Sequence, residues 1–252
     1  MLKAGPENPP APSVLNGSTV SVGVAPVELR PTPQDVAQHA GGEGFALTTE
    51  MQQRVNALLP MIADRVHPRY SYAAHRVSWI VHSSLALANG VELPFGLDVA
   101  SVRPYGLVAA VCTMGAGTDS LQAELGTRSP LDAWLLDATV LAELDLLESR
   151  CLQDVSQYAV GAALFVGPAL VPAVAGVPQP AQQGLFECID AAVTGVALNE
   201  LGVMTPLKSF SCWLPLVTAP VDGRDGLHLC ERCDLDTCAF RRRFAGGEGG
   251  SR

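Results

Sequence analysis

The chain has 252 residues, of which 48% are hydrophobic and 16% are charged, so it is long enough to bury a substantial aliphatic core. Its formal net charge is −9. A surface this acidic repels phosphate backbones and anionic lipids, and the composition therefore argues against a nucleic-acid-binding or membrane-surface protein.

The N-terminal residues 1–18 are rich in proline, glycine, serine and asparagine, a composition that predicts a disordered segment. Alternating apolar residues then predict a strand over 18–30, followed by a short capped helix over 32–42 that ends at glycine. A longer helix is predicted over 47–66, where an apolar face of helical period follows threonines that can cap the first turn.

Two β-rich runs come next, HRVSWIVH at 75–82 and GLVAAVCTM at 106–114. The second is apolar throughout and of strand length, which predicts a central strand buried on both faces. The stretch MGAGTDS that follows has neither the G-x-G-x-x-G spacing nor a phosphate-binding lysine. We therefore predict that it is a turn connecting this strand to a helix.

The longest helical pattern covers 129–159, with Ser129 and Pro130 at its start and a broad apolar face. A further helix is predicted over 181–201 and a closing strand over 207–217. Because helices and strands do not alternate strictly, the predicted class is α+β with a mixed or antiparallel sheet.

No residue between 155 and 186 carries a charge, and this stretch is long enough to cross a bilayer. Glycines and prolines interrupt it, among them Pro168, Pro172 and Pro178. Prolines at this density prevent one continuous helix from satisfying its backbone groups. We predict a buried loop with short elements here, with a membrane span as the less favoured alternative.

The C-terminal residues 221–252 contain three closely spaced cysteines: Cys230, Cys233 and Cys238. A C-x2-C turn directs two thiolates at one metal, and soft thiolates select zinc or an iron–sulfur cluster. We favour a 4Fe–4S cluster with Cys212 as the fourth ligand, because Arg241–Arg243 would offset its negative charge. The alternatives are a zinc ion, completed by His228 or Cys212, and free thiols.

Seven cysteines are present, and no apolar leader segment precedes them. An odd number, close spacing and a start without a leader fit a reducing cytoplasm and metal ligation better than a disulfide framework. The expected location is therefore the cytoplasm, and the expected organisation is a disordered segment (1–18), one α+β domain (19–220) and a metal-binding extension (221–252).

Several motifs occur in a telling order. The turn TMGAGTDS, the helix DAWLLDATVLAELDLLE, a Gly/Pro loop and the segment LNELGVMTPLKSFSCWLPLV follow one another. This order, over roughly 20–220, resembles the reactivation domain of cobalamin-dependent methionine synthase and the free-standing proteins similar to it. The most specific piece is Gly202–Ser209, which looks like the family's LTPS…KS stretch. Some free-standing relatives also carry a C-terminal cysteine cluster.

The resemblance implies an α+β fold with a long, bent, mostly antiparallel sheet flanked by helices. It implies a domain that binds S-adenosylmethionine and docks over cobalamin carried by another domain, where cob(II)alamin takes one electron and is trapped by methyl transfer. The chain has no D-x-H-x-x-G motif for the lower cobalt ligand. Any corrinoid would therefore be carried by a partner.

The resemblance also assigns residues to the methyl donor. Glu143 or Asp145 would face its positive end, and the remaining matched positions are Gly167, Pro168, Thr205, Pro206, Lys208 and Ser209. The family's R-x-x-P-G-Y loop corresponds to LFVGPAL here, which keeps the glycine and the proline, but no arginine occurs between Arg150 and Arg224. The loop thus lacks the side chain that would hold the donor's carboxylate in a bidentate grip.

The leading functional hypothesis is reductive maintenance of the corrinoid cofactor of a partner methyltransferase or methionine synthase, with a cysteine-bound iron–sulfur cluster as the electron relay. The first alternative is a non-catalytic module that docks a corrinoid protein and holds a structural zinc in its tail. A third hypothesis is an enzyme of altered small-molecule specificity, in which the apolar loop LFVGPALVPAVAGVP forms a new pocket.

Overall fold

A seven-stranded antiparallel sheet organises the chain in this computed structural model, which describes residues 15–81, 84–94, 103–174 and 176–220. The sheet has the order β4-β3-β2-β5-β9-β6, and β1 also pairs with β2. A separate two-stranded ribbon is formed by β7 and β8. The strands are β1 (Asn16–Gly23), β2 (Arg69–Val81), β3 (Ser84–Leu87), β4 (Glu92–Pro94), β5 (Gly106–Thr113), β6 (Phe165–Val166), β7 (Ala197–Leu198), β8 (Met204–Thr205) and β9 (Ser209–Val217).

The helices begin where the sequence supplies caps. They are α1 (Pro33–Gly41), α2 (Thr49–Arg65), α3 (Ala116–Arg128), α4 (Pro130–Gly161) and α5 (Ala181–Cys188), with 3-10 turns at Pro26–Glu28 and Ala191–Thr194. Thr32 forms a capping box with Asp35, and the Thr48 hydroxyl accepts a hydrogen bond from the Met51 backbone. Ser129 caps α4 in the same way, with proline at the first helical position.

Strand β5 lies at the centre and is buried along its whole length, as predicted. One face of the sheet, which includes Cys112 and Leu214, packs against α4, and α1 and α2 pack in turn on α4. The other face, which includes Leu107 and the fully buried Trp213, packs against α5. The Trp213 indole N–H donates to the Ala181 carbonyl at 3.1 Å, which satisfies its polar atom in the core.

The predicted class, an α+β fold with a bent antiparallel sheet and flanking helices, is confirmed. The helix predicted over 181–201 is wrong beyond Cys188. Ile189 adopts extended backbone, and Gly195 takes a left-handed conformation with φ 77°. Burial of Ala191 and Val196 in the second core then holds a 3-10 turn and β7 instead of further helix.

The other element boundaries differ less from those predicted. Strand β2 begins at Arg69, six residues before the predicted run at 75–82, and β1 begins at Asn16, inside the segment predicted to be disordered. Pairing with β2 explains the second difference, since Thr19 to Gly23 face residues 69–73 in register. The C-terminal extension 221–252 lies outside the described residues.

The uncharged stretch 155–186 contains short elements, as predicted, although its first seven residues extend α4. The side chains of Val155, Leu164, Leu170 and Leu185 are buried. Leu170 bridges to Trp213 through backbone hydrogen bonds of 2.8 and 2.9 Å. Among the described residues, no helix combines the length and the apolar character that a bilayer crossing requires.

Candidate functional site

An open cleft of about 430 Å³ lies between the last turns of α2, the middle of α4 and the segment Pro26–Pro31. Its walls are mainly apolar, and its polar lining side chains are Glu143 and Arg30. Two of its wall residues, Val27 and Leu59, are 55% and 40% exposed. The cleft therefore has a mainly apolar surface that a ligand could cover, and it has few polar groups. This is the usual character of a small-molecule site.

Glu143 supplies the cleft's buried polar group. Only 2% of the residue is exposed, and its Oε2 atom has no hydrogen-bond partner among the described residues. Desolvation raises the pKa of this carboxyl from 4.5 to about 8, because burial penalises the charged form. A cationic group in the cleft would favour the carboxylate and provide the missing partner.

Asp145 was the second acid that the resemblance offered for the donor's positive end. Its Oδ2 lies 2.6 Å from Nε2 of His39 on α1, so it forms an ion pair when the histidine is protonated. Glu143, in contrast, lines the cleft and leaves Oε2 unpaired. The geometry thus favours Glu143 over Asp145 as the acid that can face a ligand.

The matched segment Thr205–Ser209 lies at the start of β9, near the end of β5. The Ser209 hydroxyl donates to the Pro206 carbonyl at 2.7 Å and lies 2.8 Å from the Thr113 hydroxyl. The Lys208 ammonium lies 2.6 Å from the Asp137 carboxylate of α4. Thr205 itself is exposed, and the Thr205–Pro206 bond is cis. Lys208 and Ser209 therefore join strand β9 to its neighbours.

Replacing Lys208 with methionine is expected to destabilise the fold by about 1 kcal/mol, because the half-buried ion pair is lost while the aliphatic stem is kept. Thermal unfolding measures the change. Arg128→Met is the control, since its pair with Glu124 is more exposed and should contribute nothing measurable. A Lys208→Met variant as stable as Arg128→Met would show that the Asp137 contact is not a stabilising one.

Gly167 and Pro168 lie at the other end of β9. The Gly167 backbone N–H donates to the Pro215 carbonyl at 2.7 Å, and a Cβ at position 167 would lie 3.2 Å from the Pro215 ring. Ser209 and Pro215 are six residues apart on one strand, a separation of about 20 Å. Apart from Asp145, which pairs with His39, the sequence-derived donor residues thus fall into three places: the cleft, the start of β9 and the end of β9.

Cys212 lies inside the core. It is 2% exposed and sits diagonally from Cys112 across the β5–β9 pair, beneath α4. Burial holds the pKa of the Cys212 thiol well above its usual range. The described residues contain no cluster of three or more His, Cys, Asp or Glu side chains that could hold a metal, and Cys230, Cys233 and Cys238 lie outside them.

A solved structure has a similar fold. The chain is similar to the crystal structure of the MetH reactivation domain bound to AdoHcy, with a TM-score of 0.59 and 13% sequence identity, over 86% of this chain and 83% of that one. The likeness is one of fold. No family model matches the sequence, and no curated protein matches it. The resemblance inferred from the order of motifs is therefore confirmed at the level of architecture.

Reasoning from the sequence missed two side chains, one that lines the cleft and one elsewhere on α4. The sequence pattern predicts that Arg30 ends a strand, whereas Arg30 follows the 3-10 turn and lines the cleft. Its Nε donates a hydrogen bond to the Val27 carbonyl at 2.9 Å. Glu148, one turn from Cys151 on α4, has a pKa that burial raises to about 8. For both residues the informative property is burial or proximity in the fold, which no local motif records.

Proposed function

We propose that the protein maintains the corrinoid cofactor of a partner methyltransferase or methionine synthase in its active oxidation state. The observation that carries this proposal is the fold likeness to the MetH reactivation domain over 86% of the chain, joined to the matching order of motifs in the sequence. In this role the domain docks over the partner's corrinoid, and cob(II)alamin gains one electron before a methyl group is transferred to cobalt.

The cleft would hold the methyl donor, an S-adenosylmethionine-type molecule. The support is the buried Glu143 carboxyl with its unpaired Oε2, set among exposed apolar walls. The solved neighbour is described as bound to AdoHcy, the demethylated form of that donor. A Glu143 carboxylate that faces the sulfonium would stabilise the positive end of the donor. The low polarity of the cleft walls would strengthen this attraction.

The tail cysteines would serve as the redox site. A 4Fe–4S cluster bound by Cys230, Cys233 and Cys238 would supply the single electron that cob(II)alamin requires, drawn from an external low-potential one-electron donor. Cys212 remains the proposed fourth ligand. Because it is buried beneath α4, its ligation would require the tail to reach this position in the core.

A second candidate is a docking module whose tail holds a structural zinc. Two observations favour it: the loop that includes Gly167 has no arginine for the donor's carboxylate, and Cys212 lies in the core. A zinc ion held by three cysteines and a histidine such as His228 requires no fourth thiolate. In this case the protein would cap a corrinoid domain without taking part in electron transfer.

Anaerobic purification distinguishes the two candidates. The electron-relay proposal expects a brown protein with matched iron and sulfide, which restores methyl transfer by a cobalamin-dependent methionine synthase whose own reactivation domain has been removed. Replacing Cys230, Cys233 and Cys238 with serine should abolish restoration and leave docking to the partner intact. Cys188→Ser is the control, since this thiol is buried against Asn89.

A colourless protein with one zinc that still docks would support the second candidate instead. Failure of the wild-type protein to dock or to restore activity would contradict the proposed function itself.

A further inference from the structure

A second cleft, of about 330 Å³, adjoins the first. The two share Leu29 and Arg30, so one wall separates them and both open beside the same segment of chain. Where the first cleft has Glu143 and Arg30, the second has two guanidinium groups, those of Arg30 and Arg150. Glu28 also lines it, which leaves a formal charge of +2 − 1 = +1 on this lining.

Neither arginine forms an ion pair with a described residue. Among the described residues, the salt bridges involve neither Arg30 nor Arg150, and the guanidinium of Arg30 uses only its Nε in a hydrogen bond to Val27. Both residues are exposed. Each can therefore present a pair of parallel N–H donors to a carboxylate, the geometry for which an arginine fork is suited.

Helix α4 aligns the opposite charges. Glu143, Leu146 and Arg150 stand at positions i, i+3 and i+7, so they follow one face of the helix, with the acid and the arginine about 10 Å apart along its axis. The leucine between them is partly buried and contributes apolar surface. This face carries a carboxyl at one end, an apolar middle and a guanidinium at the other.

We propose that the two clefts form one groove for a zwitterionic ligand with an apolar body, in which Arg30 and Arg150 hold the carboxylate and Glu143 faces the cationic group. The inference rests on the proposed function for the choice of ligand, an S-adenosylmethionine-type molecule. The carboxylate then has its partners in the N-terminal segment and the second half of α4, whereas the family resemblance places an arginine in the loop around Gly167.

Three probes divide the ligand into its parts. S-adenosylmethionine carries the sulfonium and the amino-acid group, S-adenosylhomocysteine lacks the sulfonium charge, and methylthioadenosine lacks both the sulfonium charge and the amino-acid group. Titration calorimetry with the full-length protein should give affinities in that order. Replacing Arg30 or Arg150 with glutamine should weaken S-adenosylmethionine about 10- to 100-fold, the effect of losing a charged hydrogen bond, and leave methylthioadenosine unchanged.

Two further variants test the Glu143 end of the groove and the general effect of removing a positive charge. Glu143→Gln should reduce the preference for S-adenosylmethionine over S-adenosylhomocysteine, because the buried group can no longer become negative. Arg128→Gln removes an exposed arginine on α3 that lines neither cleft and should change no affinity. Equal binding of S-adenosylmethionine by wild type and the Arg30→Gln and Arg150→Gln variants, or no binding by wild type, would overturn the inference.

The outcome separates this inference from the proposed function. Arginine-dependent binding without restoration of a partner's activity would retain the groove and reject the corrinoid role. If the protein restored a partner's activity but its affinity for S-adenosylmethionine did not depend on Arg30 or Arg150, the corrinoid role would stand and the proposed groove would be wrong.

Discussion

Replacing Glu143 with glutamine is expected to stabilise the protein above pH 7 and to leave its stability near pH 5 almost unchanged. The folded carboxyl has a pKa of about 8 against 4.5 in the unfolded chain, so the folded state binds more protons between these values. The stability that the protonated acid contributes is complete below pH 4.5. Between pH 4.5 and 8 it is lost at about 1.4 kcal/mol per pH unit, and above pH 8 no more is lost. Glutamine mimics the protonated acid and does not titrate.

Chemical denaturation of wild type and Glu143→Gln between pH 5 and 8.5 measures this difference, which should grow by roughly 3–4 kcal/mol over the range. The difference between the two profiles isolates one carboxyl, because Glu148 and the buried His75 are common to both. His75 has a lowered pKa from desolvation and acts in the opposite direction, since its contribution is lost as the pH falls.

Glu124→Gln is the control for this experiment. The Arg65 guanidinium lowers the pKa of Glu124, so the carboxylate is charged in both states above pH 5. Its difference from wild type should be constant with pH over the same range. A flat profile for Glu143→Gln as well would mean that water or an ion reaches the Glu143 carboxyl in the free protein.

This carboxyl illustrates what could be predicted from the sequence and what could not. Cap residues and apolar periodicity act locally, and they predicted α2, α4 and the buried strand β5 correctly. The resemblance to a family selected Glu143, but from the sequence alone Asp145 was an equal candidate. The two acids separate only in the fold, where one meets His39 and the other meets an apolar cleft.

Features that depend on tertiary contacts could not be predicted from the local sequence. The helix predicted over 181–201 has adequate helical periodicity, yet packing of its second half against the core ends it at Cys188. Arg30 and Arg150 are 120 positions apart in sequence, and packing of the N-terminal segment on α4 places them in one cleft. No local spacing could indicate that they share a ligand.

Among the described glycines, Gly117 is expected to tolerate replacement by alanine least. Gly117 lies in the first turn of α3, in the stretch MGAGTDS that the sequence predicted to join strand to helix. A Cβ at this position would lie 1.7 Å from the carbonyl oxygen of Arg65 and 2.8 Å from its carbonyl carbon. Because backbone cannot rotate away as a side chain can, α3 and the end of α2 must separate, at a cost of about 1–3 kcal/mol or more.

Gly126→Ala provides the matched control on the same helix. A Cβ there would have no heavy atom within 4 Å, so alanine should stabilise the protein by about 0.5–1 kcal/mol through its helix propensity. Thermal and denaturant unfolding compare the two variants directly. If both alanines stabilised the protein equally, the close approach of α3 to α2 would not exist in solution.

The effect of Gly117→Ala should also reach the ligand groove. The carbonyl it would displace belongs to the last residue of α2, and the preceding turns of that helix supply Leu59, Ile62 and Ala63 to the cleft wall. Displacing α2 moves this wall relative to Glu143 on α4, so S-adenosylmethionine should bind more weakly to Gly117→Ala and unchanged to Gly126→Ala. The glycine that the sequence marked only as a turn would then be required for the packing that forms the binding cleft.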